Sequence, residues 1–506
     1  MTAPAPVRLS KSKFVAGVQC LKRLYLQIYQ PELAGESDDE QEARLEQGHE
    51  VGRLAQSAFQ GGVLVDSGAF ELDAALARTA ALVNDPSVPA IFEATFRHSG
   101  VLVRVDILER HRWNRWRLIE VKSSVEVKEH YLYDVAIQHH VVSGCGLDFS
   151  SAALMHLNRD FIYDGHSYDP HELFVLEDVT GPVGNLGNDI PKLLRAQRKV
   201  LAQLNPPDVE PGSQCRDPYV CEFFGQCNPD LPENHISCLP RLSEKKKQAL
   251  LDLGIALIGE IPDDFPLTEI QNRVHSAVKT GRAWVSETLA TALSGLKYPI
   301  YFMDFESLYP AIPRHAGMWP YSHIPFQWSV HRQLTPGAAL DHFEFLADDG
   351  RDRRGEFIRS LCETLGRRGR IVVYNASFES QRLRDLAGWF PEYGDKIANI
   401  QERLWDLLPF VREHVYHPEF HGSYSLKAVL PALVPELTYD GMEVSHGGEA
   451  GLVWEQMIRD GVAAAERERL RSALLAYCRQ DTLAMVSVLE RLRALIGNAR
   501  AGGGVL

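Results

Sequence analysis

Apolar and polar positions alternate most clearly in two places along the chain. Val101, Val103, Val105 and Ile107 interleave with Leu102, Arg104, Asp106 and Leu108, a period of two that predicts a strand with one buried face. After a turn through residues 111–115 the alternation resumes over Trp116–Lys122, with Leu118, Glu120 and Lys122 on one face. A hairpin of these two strands brings Asp106, Glu120 and Lys122 together. A helix follows, carrying Tyr131, Val135, Gln138 and Val142 on one stripe, so that polar Gln138 sits among apolar neighbours. The second place is Tyr298–Glu306, a short aromatic and β-branched strand in which Ile300, Phe302, Asp304 and Glu306 share a face. Residues 370–374 predict a further strand, running into Asn375-Ala376-Ser377-Phe378-Glu379 at a helix start. From Val462 to Leu495 a long helical pattern places Leu470, Leu474, Tyr477, Asp481, Met485 and Val488 on one stripe.

Each acid has a plain reading as well as a chemical one. Asp304 and Glu306 could be the solvated end of a strand, Tyr477 a core tyrosine, and Glu120 with Lys122 a surface ion pair. Against the plain readings stands cost. Adjacent carboxylates repel unless a cation separates them, and an aspartate inside an apolar stripe is expensive unless paired or metal-bound.

Elsewhere the patterning predicts one capped helix from Leu9 to Leu26 carrying Cys20, an acidic loop over 31–42, and helices over 42–59 and 73–84. A strand is expected at 90–96, and the charged stretch 239–297 reads as a helical connector. With 506 residues, two or three cores are expected. The formal charge of −14 excludes a protein that coats nucleic acid through a uniformly basic surface, though Arg367, Arg368 and Arg370, or Lys245–Lys247, could form local patches. No apolar run is long enough to span a membrane, and no apolar stretch follows the basic residues of 1–13, so a cytoplasmic location is expected.

There are eight cysteines, and in such a compartment thiols or metal ligands are expected rather than disulfides. Cys215, Cys221 and Cys227 crowd into a loop with proline and glycine turns, and Cys20 lies near the other end of the same region. Cys238 could replace one of the four, and zinc is the rival to a cluster, although close pairs two residues apart are missing. Cys145, Cys362 and Cys478 read as small core residues.

Asp106, Glu120-x-Lys122 and a following helix with inward Gln138 resemble the PD-(D/E)xK nucleases, particularly their RecB-like branch. The histidine such nucleases often carry four residues after a glycine is out of register here, where Gly48 is followed by His49 and Gly52. One early cysteine and a late group of three resemble the iron–sulfur members of that branch, which act in CRISPR adaptation and helicase–nuclease repair. The resemblance implies that Cys20, Cys215, Cys221 and Cys227 hold a [4Fe–4S] cluster. Asp304-x-Glu306, Asn375…Glu379 and Tyr477-x-x-x-Asp481 resemble the three motifs of the DEDD exonucleases, tyrosine subclass. One departure is Glu379, where that superfamily usually has aspartate, which leaves Asp385 and Asp406 as fallback ligands.

Taken whole, the chain resembles a bacterial fusion of these two nucleases. The implied fold class is α/β (α+β): a restriction-endonuclease-like domain at 1–238, the connector at 239–297, and a ribonuclease-H-like exonuclease domain at 298–506. Implied ligands for Mg2+ or Mn2+ are Asp106, Glu120, Asp304, Glu306, Glu379 and Asp481, with two ions about 4 Å apart at a two-metal site. Lys122 would position the hydrolytic water at the first site and Tyr477 at the second, with Gln138 supporting the first. The implied function is a metal-dependent nuclease acting on DNA ends or single strands, with DNA favoured over RNA and helicase, repair or defence proteins as partners. Two alternatives stay open: an iron–sulfur nucleic-acid-binding adaptor with one or both folds inactive, and an RNA 3′-end trimming enzyme.

Overall fold

The computed structural model describes residues 8–35, 39–66, 71–111, 115–228 and 231–500. Part of the turn expected at 111–115 and part of the loop expected at 31–42 lie outside the described residues. The chain is a mixed α+β protein of two compact units: residues 1–230 with 310–322, and residues 231–309 with 323–506.

The first unit is built on a seven-stranded sheet of β1 (Leu9–Ser10), β2 (Val63–Leu64), β3 (Ala90–His98), β4 (Val101–Arg110), β5 (Trp116–Lys122), β6 (Phe149–Leu157) and β7 (Phe174–Asp178). β3, β4 and β5 form an antiparallel meander, β5 pairs parallel with β6, and the helix Tyr131–Gly144 makes the crossover between them. Alternation decides what each face buries. Ile107 and Ile119 pack with Val51 and Ala55 of the helix Asp39–Gln56, whereas Leu108 and Leu118 pack with Val135 and Val142 of the crossover helix. Val101, Val103 and Val105 also join the core of the crossover helix, so they do not share one buried face with Ile107 and the alternation of β4 changes over at Asp106; Gln138 of that helix meets Glu120.

Residues 9–26 do not form the single helix that the pattern predicts. The helices Lys11–Gln19 and Leu21–Tyr29 are separated at Cys20, whose backbone is extended (φ −160°, ψ 124°). Apolar periodicity runs on across the break, because both halves bury residues against the same domain: Phe14 in one, Leu24 and Leu26 in the other. Pro310–Ser322, although it follows the second unit's first long strand in sequence, belongs to the first unit, where Ala311 and Ile312 join the Ile107 core.

The second unit contains a two-stranded ribbon of β8 (Trp284–Val285) and β14 (Val415–Tyr416). Its five-stranded sheet holds β9 (Ile300–Leu308), β10 (Ile324–Gln333), β11 (Leu340–Leu346), β12 (Arg370–Val373) and β13 (Leu404–Asp406). The sheet order is β11-β10-β9-β12-β13, antiparallel from β11 to β9 and parallel from β9 to β13. On one face Ile300 and Phe302 pack with Met485 and Val488 of the long helix Ala464–Arg500; on the other Tyr301, Met303 and Phe305 pack with Phe357 and Leu383.

Residues 239–297 are not a separate connector. Leu250, Val274, Leu289 and Leu293 are buried in the same core as Ile300 and Phe302. Their charges lie on the outer sides of short helices whose inner sides are apolar, so the boundary falls at 230/231 rather than at 238 or 297. Among the described residues, no helix is long and apolar enough to cross a membrane.

Candidate functional site

The meander of the first unit places a row of acids across three strands. Ile107 pairs with Ile119 and with Phe92, so the register sets Asp106 opposite Glu120 on one side and opposite Glu93 on the other. Glu120 is buried, and four nitrogen contacts surround it. Lys11 Nζ donates to both of its oxygens (2.8 and 2.9 Å), Lys122 Nζ to Oε1 (2.9 Å), and Gln138 Nε2 to Oε2 (2.5 Å). Lys122 also pairs with Asp134 at 2.6 Å. Asp106 Oδ2 accepts from the Val121 backbone at 2.8 Å.

Electrostatics separate the two acids. Burial and the neighbouring Glu120 push Asp106 up to about 7. Burial would raise Glu120 too, but the ammonium groups of Lys11 and Lys122 outweigh it and hold that carboxyl well below the usual range. Burial also raises Glu93, whose backbone is left-handed (φ 56°), a conformation that a non-glycine residue keeps only where its surroundings enforce it. Lys11, Glu93 and Asp134 were missed by sequence reasoning, and only Glu93 left a signal there, as a lone acid inside the apolar run 90–96. His49 is exposed on its helix but close enough to act on Glu93.

Cys20, Cys215, Cys221 and Cys227 line one small cavity in this unit. The helix pair is stitched to the cysteine loop around it. Gln19 Nε2 donates to the carbonyls of Gln214 and Tyr219 (both 2.7 Å), Arg23 pairs with Glu222 (2.9 Å), and Gln27 donates to Glu222 (2.5 Å). The extended backbone at Cys20 is what allows its thiol to leave the helix face for this cavity. Burial pushes the Cys221 and Cys227 thiols up. Cys238 belongs to the second unit and does not join them; its backbone packs against Gly422. Cys145 is not a core residue: it caps the exposed end of the crossover helix.

In the second unit β9, two helix starts and the long helix converge. Asp304 and Glu306 follow Ile300 and Phe302 on the β9 face that meets the long helix. Tyr477, Cys478 and Asp481 are buried on that helix, and Glu379 is 2% exposed on the helix Ala376–Trp389. Ligand atoms of Asp304, Glu306 and Cys478 lie within 4.8 Å of one another. Glu379 Oε2 is buried without a hydrogen-bond partner. Gly447 opens a helix so close to Glu306 that a Cβ there would stand 3.3 Å from Oε2.

The acids strain against one another. Burial and Asp481 push both Asp304 and Glu306 well above the carboxylate range, with Glu379 adding to each. Burial pushes Glu379 up to about 8. It also pushes Asp481 up to about 6, although the hydroxyls of Tyr439 and Tyr477 hold that acid down. Tyr439 Oη donates to Asp481 Oδ1 at 2.5 Å, and Lys427 Nζ lies 5.6 and 5.5 Å from the two tyrosine ring centroids. Lys427, Tyr439 and Cys478 are the further members of the site that periodicity did not single out. The fallback acids are engaged elsewhere. Asp385 pairs with Arg382 (3.0 Å), and Asp406 accepts from the backbone of Asn375, Ala376 and Leu408.

The described residues thus define an α+β protein with two carboxylate clusters, one per unit, and a four-thiol cavity in the first. Residues 301–425 match a domain of unknown function, DUF2779. That stretch contains Asp304, Glu306 and Glu379 but stops short of Tyr477 and Asp481. Among curated proteins the chain is similar to the uncharacterized protein UU173 of Ureaplasma parvum serovar 3, 24% identical over 245 residues, which cover 44% of this chain and 35% of the relative. It is also similar to the uncharacterized MG366 homolog of Mycoplasma pneumoniae, 21% identical over 262 residues, covering 46% of this chain and 38% of the relative. The chain spans little more than a third of the length of these curated relatives. No solved structure matches it.

Proposed function

We propose that this chain is a metal-dependent nuclease with two hydrolytic sites, acting on DNA ends or single strands. The finer fold reading is part of the proposal: a RecB-like PD-(D/E)xK first unit and a ribonuclease-H-like DEDD exonuclease, tyrosine subclass, as the second. The observation that carries it is Glu379, a buried carboxyl with an oxygen lacking any partner, gathered with Asp304, Glu306 and Asp481. Burying that much like charge is strongly unfavourable unless protons or cations neutralise it.

Asp304, Glu306, Glu379 and Asp481 would hold Mg2+ or Mn2+, hard ions that take oxygen ligands. Bound there, such ions supply an activated water and neutralise charge on the leaving oxygen. Tyr477 would orient the attacking water while Tyr439 fixes Asp481. In the first unit Asp106 and Glu120 would hold the cation, Gln138 fixes the Glu120 carboxylate, and Lys122 would position the hydrolytic water. Cys20, Cys215, Cys221 and Cys227 would hold a [4Fe–4S] cluster that straps the helix pair to the cysteine loop.

One observation favours a second reading for the first unit. Lys11 and Lys122 already neutralise its acids, as an inactive, binding-only fold would allow. End-labelled DNA and RNA incubated with full-length protein and Mg2+ or Mn2+ separate the readings. The proposal expects shortening from free 3′ ends that Asp304→Ala removes, plus a second cleavage that Lys122→Ala removes. No cleavage of any substrate under either metal leaves the adaptor, and shortening of RNA alone leaves the trimming enzyme. Anaerobically purified protein should be brown, contain iron and sulfide, and bleach on reduction; stoichiometric zinc without iron overturns the cluster.

A further inference from the structure

Lys11 has no part in the chemistry proposed above, yet it occupies the middle of the first site. Its Nζ stands 2.8 and 2.9 Å from the two oxygens of Glu120 and 3.9 Å from Asp106 Oδ1. That is the space between the two acids that a divalent ion bridging them would take. Nor is it a loose surface lysine, since its side chain is only 24% exposed. The backbone just before it is fixed, because Leu9 and Ser10 pair with Val101 and Leu102 of β4 and the Ser10 side chain caps the helix that Lys11 opens. The charged groups facing it are Glu120, Asp106, Asp134 and Lys122, with Glu93 also in reach. Lys122 differs, because it divides its ammonium between Glu120 and Asp134.

The geometry points to Lys11 as an internal counter-cation that occupies the metal seat of the first site, so that a divalent ion binds only by displacing it. This rests on the reading of Asp106 and Glu120 as metal ligands. Two cations compete for the same oxygens, and only the form with Lys11 withdrawn is competent to take the metal. The apparent metal affinity is therefore lowered in proportion to how rarely that form is populated. A site of this kind stays charge-balanced without metal and fills only when the divalent ion is abundant.

The test uses full-length protein in a Glu306→Gln background, which weakens the other metal site, with Mn2+ as the probe read by isothermal titration calorimetry and by the metal-induced shift in melting temperature. Lys11→Met should bind Mn2+ at least tenfold more tightly than its parent. Its metal-free form should melt lower, with a larger Mn2+ shift, and adding Asp106→Asn should erase the gain. Lys11→Arg, which keeps the charge, should stay near the parent affinity. Should Lys11→Met fail to fold, Lys11→Gln supplies the same comparison. Unchanged or weaker Mn2+ binding in the neutral variant overturns the proposal. If Asp106→Asn still weakens binding in the parent, the first-site reading survives that failure. If Asp106→Asn leaves parent binding untouched, no metal uses these acids and both fall.

Discussion

The two carboxylate clusters solve the same electrostatic problem in opposite ways. In the first unit Glu120 is ringed by Lys11, Lys122 and Gln138, and its carboxyl is held well below the usual range although it is buried. In the second unit four acids meet, with Lys427 acting on Glu306 and Asp481 and Arg382 on Glu379; three of them, Asp304, Glu306 and Glu379, are nevertheless pushed well above the ordinary range, and Asp481 to about 6. A compensated cluster is stable on its own and needs metal only for chemistry. An uncompensated one needs protons or cations to be tolerated at all, so it is the stronger sign of a metal centre.

The largest effect that tests this contrast is loss of chemistry in the second unit. Asp304→Ala should lower 3′-nucleotide release by roughly thousandfold or more, since bound ions supply several kcal/mol of transition-state stabilisation. The full chain should remain folded, as judged by melting, and the iron content expected of the proposed cluster should not change. Retained release would assign the second cluster to stability alone. Next in size is Lys122→Ala in the Asp304→Ala background, measured on the same labelled substrates. Loss of a group that positions or polarises the water should cost about 10² to 10⁴-fold. Undiminished cleavage would make Glu120 and Lys122 a structural ion pair, whereas no cleavage at all in the Asp304→Ala parent would turn the comparison into one active site against one inert fold.

How far the chain could be read follows from the same physics. Asp304 and Asp481 were legible because each interrupts an apolar stripe of period two or 3.6 that the structure shows buried, and Asp106 and Glu120 because a hairpin of their two strands brings them together. Lys11 was not, because nothing in its local pattern says that β1 will pair with β4 and carry it to Glu120. Tyr439 lies in an irregular stretch before the helix Gly447–Ile458, and its meeting with Asp481 is a long-range contact without a local period. Cys478 was read as core and is buried, but its neighbours are the acids rather than apolar side chains alone. Residues 239–297 misled because their helices are short and charged outside. Their apolar positions, Leu250 and Val274 among them, are too sparse to announce that they complete the Ile300 core.

A third, smaller effect is pH dependence without metal, in which Glu120 acts with one sign and the raised acids of the second cluster with the other, joined by Asp106 of the first, itself raised to about 7. Glu379, raised from 4.5 to about 8, and Asp481, raised from 3.8 to about 6, keep protons in the fold that they lose on unfolding. Over that range the folded state binds more protons, so stability falls as pH rises from roughly 4 to 8. Each tenfold difference in proton affinity is worth about 1.4 kcal/mol, and each kcal/mol shifts melting by roughly 2–4 °C in a domain of this size. Glu120, held low, contributes instead above the ordinary glutamate range, and that stability is lost only in acid as pH falls toward its folded value. Melting in EDTA from pH 5 to 8 should therefore decline, the Mg2+-induced rise should grow with pH, and Glu379→Gln should flatten the slope. A profile already flat in the parent chain would mean that the second cluster is as well compensated as the first.

The smallest effect separates the two tyrosines at Asp481. Tyr439 Oη donates to Asp481 Oδ1 at 2.5 Å, and Tyr477 also bonds that carboxyl. Burial, with Asp481 beside them, pushes both phenols far above the ordinary tyrosine range, so both remain donors at neutral pH. A hydrogen bond to a charged acceptor is worth about 1.5–3 kcal/mol, so removing either hydroxyl should cost tenfold or somewhat more in whichever step it serves. Tyr439→Phe takes away only the support of a ligand. It should raise the metal concentration needed for half-maximal 3′ release about tenfold and leave the rate at saturating metal nearly unchanged. Tyr477→Phe, if that hydroxyl orients the attacking water, should lower the saturated rate by about tenfold while the metal requirement moves by about twofold or less. Measuring release against Mn2+ concentration for each variant reads both quantities at once. Identical changes in the two variants would mean that Tyr477, like Tyr439, only fixes Asp481, and that the attacking water is positioned by another group of this cluster.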